Sequence, residues 1–205
     1  MRYIRLIITA TVIFIIAAKA EALPVDLTLF DKSAPSSTSV GPESNSATLY
    51  EDSIVESLTG DTILGTNSLL IPWDSQGLSF DYIFTEPAGD EDNYFSAYLF
   101  DPGTNLYLQD SSSNDLYINF GDPLVNPEAH SGTILWDFTG TSIAGSTVGL
   151  QFVLAYGNMD LNFDSTVEIS NVNIDTTPVP EPASILLLGV GLLGLGVMWR
   201  RVHHT

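Results

Sequence analysis

The stretch LSFDYIF, residues 78–84, alternates between large apolar side chains and smaller or polar ones. Successive side chains of an extended chain point to opposite faces, so its even-numbered residues share one side. These are Leu78, Phe80, Tyr82 and Phe84, and the other side carries Ser79, Asp81 and Ile83. The stretch therefore predicts a β-strand with one face in a hydrophobic core.

The same period of two recurs along residues 23–177, with Gly, Pro, Asn, Asp and Ser between the segments. No stretch of useful length has a helical period. Further strands are predicted at 47–50, 54–58, 62–64, 94–100, 115–120, 133–138 and 147–156. Strands of this number and spacing predict an all-β ectodomain, an antiparallel two-sheet sandwich of jelly-roll-like architecture.

Two segments of this body depart from simple alternation. In TVEISNVNI, residues 166–174, the apolar positions change from odd to even numbers. This change predicts a β-bulge near Ser170 and Asn171, which moves the inward face by one residue. Residues 33–46 are rich in Ser and Pro and are expected to be a low-complexity arm or long loop.

The charge is strongly one-sided, with 25 acidic and 6 basic residues among 205. All the acidic residues except Glu21 lie between Leu23 and Pro182, where Lys32 is the only base. Such a surface repels polyanions, which excludes nucleic acid as a partner. The chain has no cysteine, so disulfides and thiolate metal sites are excluded as well.

The N-terminal segment, residues 1–22, has a short basic start, an apolar run and small residues at its end. This order is typical of a secretory signal peptide, handled by the Sec export machinery and signal peptidase. Cleavage is expected after Ala22, with Ala20 and Ala22 as the small pair, or after Ala20. An uncleaved anchor helix is the alternative, although the apolar run is short for a bilayer.

The C-terminal run 183–199 has no charged residue and would measure about 25 Å as a helix. It is expected to span a membrane, with Trp199 at the interface and Arg200 and Arg201 on the cytoplasmic side.

Residues 189–194 also satisfy the G-x-G-x-x-G pattern. A dinucleotide site is excluded, because no strand precedes them and no acidic residue follows to bind a ribose.

The segment Val179-Pro180-Glu181-Pro182, followed by the apolar run and two arginines, resembles the PEP-CTERM sorting signal of Gram-negative bacteria. The resemblance covers about residues 178–202 within a C-terminal segment 178–205. It implies processing by exosortase after a transient single-pass stay in the inner membrane. It also implies delivery to the cell surface or extracellular matrix, in association with exopolysaccharide. An ordinary permanent tail anchor is the alternative.

The body resembles, more loosely, β-rich ectodomains found upstream of this signal, which are similar to carbohydrate-binding sandwiches. A carbohydrate-binding or adhesion module is therefore an alternative function, with Tyr107, Tyr117 or Trp73 as residues that would stack on sugar rings. Most aromatic residues of such a body are expected in its core. A polysaccharide-acting hydrolase is a further alternative, although no carboxylate pair stands out.

The sequence points to no catalytic residue. The body has one histidine, His130, expected on a surface loop, and no G-x-S-x-G segment accompanies it. Asp90, Asp92 and Asn93 form the densest acidic turn and are candidate Ca²⁺ ligands, since Ca²⁺ prefers several oxygens at short range. A second, weaker candidate is the alternating set at 160, 162 and 164. We therefore expect a non-enzymatic protein without a cofactor, apart from the candidate Ca²⁺ ion.

Overall fold

The computed structural model describes residues 22–51, 61–85, 93–120, 130–155 and 165–176, which belong to one compact unit, Ala22–Thr176. The described part holds eleven strands and two short 3-10 turns, Leu27–Leu29 and Pro35–Ser37. The strands are β1 Ala22–Pro24, β2 Asp31–Lys32, β3 Thr38–Val40, β4 Ala47–Tyr50, β5 Thr62–Leu70, β6 Ser75–Thr85, β7 Tyr94–Phe100, β8 Tyr117–Phe120, β9 His130–Asp137, β10 Thr147–Ala155 and β11 Thr166–Thr176.

The strands form two antiparallel sheets. The first has the order β3-β4-β11-β6-β9, with β1 also paired to β11, and the second has the order β2-β5-β10-β7-β8. Strands β4 to β11 thus divide into two groups of four in a jelly-roll arrangement, which the sequence analysis expected. The all-β, two-sheet sandwich is confirmed.

The core lies between the two sheets and is rich in aromatic rings. Phe80 of β6 is fully buried, and its ring meets Trp136 of the same sheet at 5.4 Å and Phe152 of the opposite sheet at 5.2 Å, both edge to face. Tyr82 stacks on Phe120 of the opposite sheet at a centroid distance of 4.8 Å. The face of β6 that LSFDYIF predicts to point inward is therefore the face that packs against the second sheet.

The predicted bulge in β11 is confirmed. The register between β11 and β6 shifts between Ser170 and Asn173, and Asn171 takes a left-handed φ of 52°. Val172 is fully buried, and its carbonyl accepts a hydrogen bond from the Val25 amide at 2.9 Å. The bulge thus ends the pairing of β11 with β4 and lets β1 pair with the rest of β11.

Several segments differ from their predicted bounds or setting. Residues 33–46, expected as an arm or loop, include the turn Pro35–Ser37 and strand β3, with Ala34 fully buried. Strand β5 continues to Leu70, well past the predicted end at residue 64. His130 is the first residue of β9 and pairs with Phe84 of β6. The strand predicted at 54–58 lies outside the described residues.

Candidate functional site

The outer face of the second sheet carries a cluster of tyrosines along β7 and β8. In β7 the residues Phe95, Ala97 and Leu99 are fully buried, so the alternate positions point outward. Two of these outward positions are tyrosines, Tyr94 and Tyr98. Strand β8 adds Tyr117 directly opposite Tyr98, and Tyr107 completes the cluster. We call Tyr94, Tyr98, Tyr107 and Tyr117 the tyrosine face.

A tight turn after β7 brings Tyr107 to this face. The Asp101 carboxylate accepts hydrogen bonds from the Gly103 amide at 2.8 Å and the Thr104 hydroxyl at 3.0 Å. The chain then reverses, and Tyr107 forms an isolated bridge with Phe100. This local arrangement explains how a residue outside any strand becomes part of the tyrosine face.

Three of the rings, those of Tyr98, Tyr107 and Tyr117, contact one another directly. Tyr107 and Tyr117 are stacked, with centroids 5.2 Å apart and an interplanar angle of 20°. The Tyr98 ring meets Tyr107 edge to face at 5.3 Å. Tyr107 nevertheless remains 46% exposed, and Tyr94 and Tyr117 are each 37% exposed. The cluster therefore presents partly exposed aromatic surface in a fixed arrangement.

Polar side chains surround the rings. The Tyr98 hydroxyl donates a hydrogen bond to the Gln151 amide oxygen of the neighbouring strand β10. The Gln109 amide nitrogen donates to the Asp115 carboxylate at 2.9 Å. Tyr117 has a side-chain hydrogen bond with Asn119. Hydroxyl and amide groups thus lie beside the aromatic rings.

Three phenols of the tyrosine face have raised pKa values. Burial raises the pKa of Tyr94, Tyr98 and Tyr117, and the charge of Asp61 adds to the rise in the pKa of Tyr94 and Tyr98. Burial also raises the pKa of Asp61 above that of an ordinary aspartate. At neutral pH the tyrosine face therefore offers phenol groups that both donate and accept hydrogen bonds.

Of the three aromatic residues named from sequence, Tyr107 and Tyr117 come together on the tyrosine face. Trp73 is the most exposed of the three at 85%. It lies between β5 and β6, with its ring so close to Gly145 that a β-carbon there would lie 2.3 Å away. No ring contact among the described residues joins Trp73 to the tyrosine face. Most aromatic residues of the described ranges are buried, as expected, whereas these three side chains are exposed.

Asn93, predicted as a Ca²⁺ ligand, takes part in buried hydrogen bonds that connect two strands. It is fully buried just before β7, and its amide nitrogen donates to the Glu51 carboxylate at 3.3 Å and to the Ser165 hydroxyl at 3.0 Å. The Ser165 amide also donates to Glu51, at 3.2 Å. Asn93 thus links the end of β4 to the start of β11.

The other predicted metal ligands, Asp90 and Asp92, lie outside the described residues, as do positions 160, 162 and 164. Within the ranges that the structure describes, no group of three or more His, Cys, Asp or Glu side chains is placed to hold a metal ion. The Ca²⁺ site stays a prediction.

The sequence-predicted export and sorting residues lie almost entirely outside the described ranges. Ala22 is the exception, since it begins β1 opposite Asp175. The residues outside are Ala20, Val179, Pro180, Glu181, Pro182, Trp199, Arg200 and Arg201. In the described part of the chain, no helix has the length and apolar character needed to cross a bilayer.

Residues 178–202 match the family described as the PEP-CTERM protein-sorting motif. This match confirms the resemblance drawn from Pro180-Glu181-Pro182 and the apolar run after it. The chain therefore carries this sorting motif. No curated protein matches the chain.

Several solved structures share a broad likeness with the chain. A carbohydrate-binding module of family 28, specific for non-crystalline cellulose, is 17% identical over 68% of this chain and 80% of its own, with a TM-score of 0.38. A family 6 module of a Zobellia galactanivorans laminarinase is 8% identical over 74% and 100%, with a TM-score of 0.33. A family 16 module is 12% identical over 75% and 82%, with a TM-score of 0.33. At these TM-scores the likeness says nothing about the ligand of this chain.

Proposed function

We propose that the protein is an exported surface protein whose β-sandwich binds polysaccharide through the tyrosine face. The sorting motif at residues 178–202 supports the delivery part of this proposal. The tyrosine face is the single observation that carries the binding part. The two parts fit together, because a protein delivered to the cell surface or extracellular matrix meets exopolysaccharide there.

Exposed aromatic rings suit sugars for a physical reason. A pyranose ring has an apolar face of C–H groups that packs against an aromatic ring, and its hydroxyls bond to polar groups at the rim. The tyrosine face supplies both kinds of contact, with Tyr107 and Tyr117 as the exposed rings and Gln151 and Asn119 beside them. Covering this exposed apolar area with a sugar removes it from water, which favours binding.

The delivery part has ordered steps. The signal peptide directs export through the Sec machinery, and signal peptidase removes it. The C-terminal run then holds the chain in the inner membrane until exosortase cuts it near Pro180-Glu181-Pro182. Mass spectrometry of the surface form tests these steps. We expect a C-terminus within or near this motif, and a surface form that is intact through Thr205 contradicts the processing step.

Affinity electrophoresis through gels that contain polysaccharide tests the binding part. We expect the exported protein to be retarded, and the Tyr107→Ala/Tyr117→Ala double variant to bind at least about tenfold more weakly, which corresponds to ~1.4 kcal/mol. Tyr50→Ala is the matched control, because Tyr50 is 45% exposed and lies in the other sheet. Equal retardation of all three proteins contradicts binding at the tyrosine face.

The proposal is binding without hydrolysis. The purified protein should retain the polysaccharide and release no reducing sugar from it. Release of reducing sugar that persists in the Tyr50→Ala control and falls in the Tyr107→Ala/Tyr117→Ala variant would identify the tyrosine face as a hydrolase site instead.

A further inference from the structure

The charged groups that the described residues place near the tyrosine face are acidic. Asp61, just before β5, is close enough to Tyr94 and Tyr98 for its charge to raise the pKa of both. Asp115, just before β8, accepts the hydrogen bond from Gln109. Asp61 therefore places an acidic group on the β5 side of the face, and Asp115 lies two residues before Tyr117, on the same side of an extended chain.

The part of the chain that the structure describes contains one lysine, one histidine and no arginine to balance them. Lys32 is the only Lys or Arg between Leu23 and Pro182. It lies in β2, and its ammonium group donates to the Thr38 carbonyl at 3.4 Å. A polysaccharide with carboxylate or sulfate groups needs cationic partners for them, and the negative charge of the body repels such a chain from a distance.

We infer that the ligand of the tyrosine face is an uncharged polysaccharide. This inference rests on the proposed function and names the chemical class of its ligand. The groups at the centre of the face are neutral, because the phenols of Tyr98 and Tyr117 stay protonated and Gln151 is an amide. Stacking and hydrogen bonds between neutral groups hold a neutral sugar, while the acidic margin excludes anionic ones.

The absence of charge pairing has a measurable consequence. Raising the salt concentration from 0.1 M to 1 M shortens the screening length from about 10 Å to about 3 Å, which weakens contacts between charges. Contacts with an uncharged chain are not screened in this way. The dissociation constant for such a chain should therefore change by less than about twofold over this range.

A panel of polymers tests the inference with the exported protein in the presence of EDTA. The neutral polymers are dextran, starch, hydroxyethylcellulose and galactomannan. The acidic ones are alginate, polygalacturonate and hyaluronate, and glycol chitosan is the cationic one. We expect retardation by at least one neutral polymer, with little salt dependence, and loss of that retardation in the Tyr107→Ala/Tyr117→Ala variant.

The other outcomes separate this inference from the proposed function. Tyrosine-dependent binding of an acidic polymer, or of a cationic polymer with an affinity that falls as salt rises, overturns the uncharged ligand and leaves the proposed function standing. Retardation by no polymer, or retardation that is equal in the double variant and in Tyr50→Ala, overturns the proposed binding function itself. A circular dichroism spectrum and melting curve for each variant show that it is folded before its binding is compared.

Discussion

Replacing Asn93 by alanine tests whether this residue is structural or a metal ligand. The substitution removes the hydrogen bond from its amide nitrogen to the Glu51 carboxylate and the bond to the Ser165 hydroxyl. A hydrogen bond to a carboxylate contributes about 1.5 to 3 kcal/mol, and one between neutral groups about 1 kcal/mol. We therefore expect Asn93→Ala to lower the free energy of unfolding by about 2 to 4 kcal/mol, which is a large part of a typical domain's stability.

Urea denaturation measures this change. With a slope of about 2 kcal/mol per M, the midpoint should fall by about 1 to 2 M, and it should do so in EDTA as well as in Ca²⁺. Asn67→Ala is the matched control, because Asn67 is exposed in β5, and it should change stability by less than about 0.5 kcal/mol. The reasoning is refuted if Asn93→Ala equals the native protein in EDTA and differs from it only in Ca²⁺. Native protein with and without Ca²⁺ tests the ion itself, since a specific site raises the melting temperature.

Three further predictions concern one core residue, Phe80, and two titrating side chains, Asp81 and Tyr98. Phe80→Ala should lower the free energy of unfolding by about 3 to 5 kcal/mol in the same urea assay, because Phe80 is fully buried between the sheets; a loss below about 1 kcal/mol would contradict this role. Hydrogen bonds from the Asn171 and Thr133 side chains lower the pKa of Asp81, so this aspartate stabilises the fold above its unfolded pKa of about 3.9 and loses that effect as pH falls through its folded value. Asp81→Ala should then have a lower free energy of unfolding than the native protein at pH 7, and the two values should converge in strong acid. A difference in the free energy of unfolding that persists in acid would count against this. Burial first, and then nearby charges, raise the pKa of Tyr98, so ultraviolet titration should show phenols that ionise above about pH 10, and stability should fall as pH rises through that value. Ionisation of every tyrosine at or below about pH 10 would contradict a raised pKa of Tyr98.

Local alternation was enough to predict the strands with clear periods. YFSAYLF predicted a strand at 94–100, and β7 has these bounds. The bulge in β11 was also predictable, because Val167 and Val172 have opposite parity and both are buried. The end of β5 was missed because its second half, Thr66–Ser68, is polar and partly or fully exposed. Strand β3 was missed for a similar reason, since its Ser-rich sequence is held in place by pairing with β4.

The strand order and the candidate site depend on contacts between residues far apart in the sequence. Pairing of β11 with β6 brings together segments that no short-range pattern connects. The tyrosine face could be predicted only in part. Parity places Tyr94 and Tyr98 on the outer side of β7, but the contact of Tyr98 with Tyr117 requires the pairing of β7 with β8. The position of Tyr107 depends on the turn that begins at Asp101.

Hydroxyl-radical footprinting tests the central claim most directly, because it locates a bound polysaccharide on the protein surface. The exported protein would be oxidised with and without the polymer that retards it, and the rate at each aromatic side chain compared. The account predicts slower oxidation of Tyr94, Tyr107 and Tyr117, with unchanged rates at Tyr50 and Trp73, which are 45% and 85% exposed. Protection of Trp73 or Tyr50, with the three tyrosine-face rates unchanged, would contradict it.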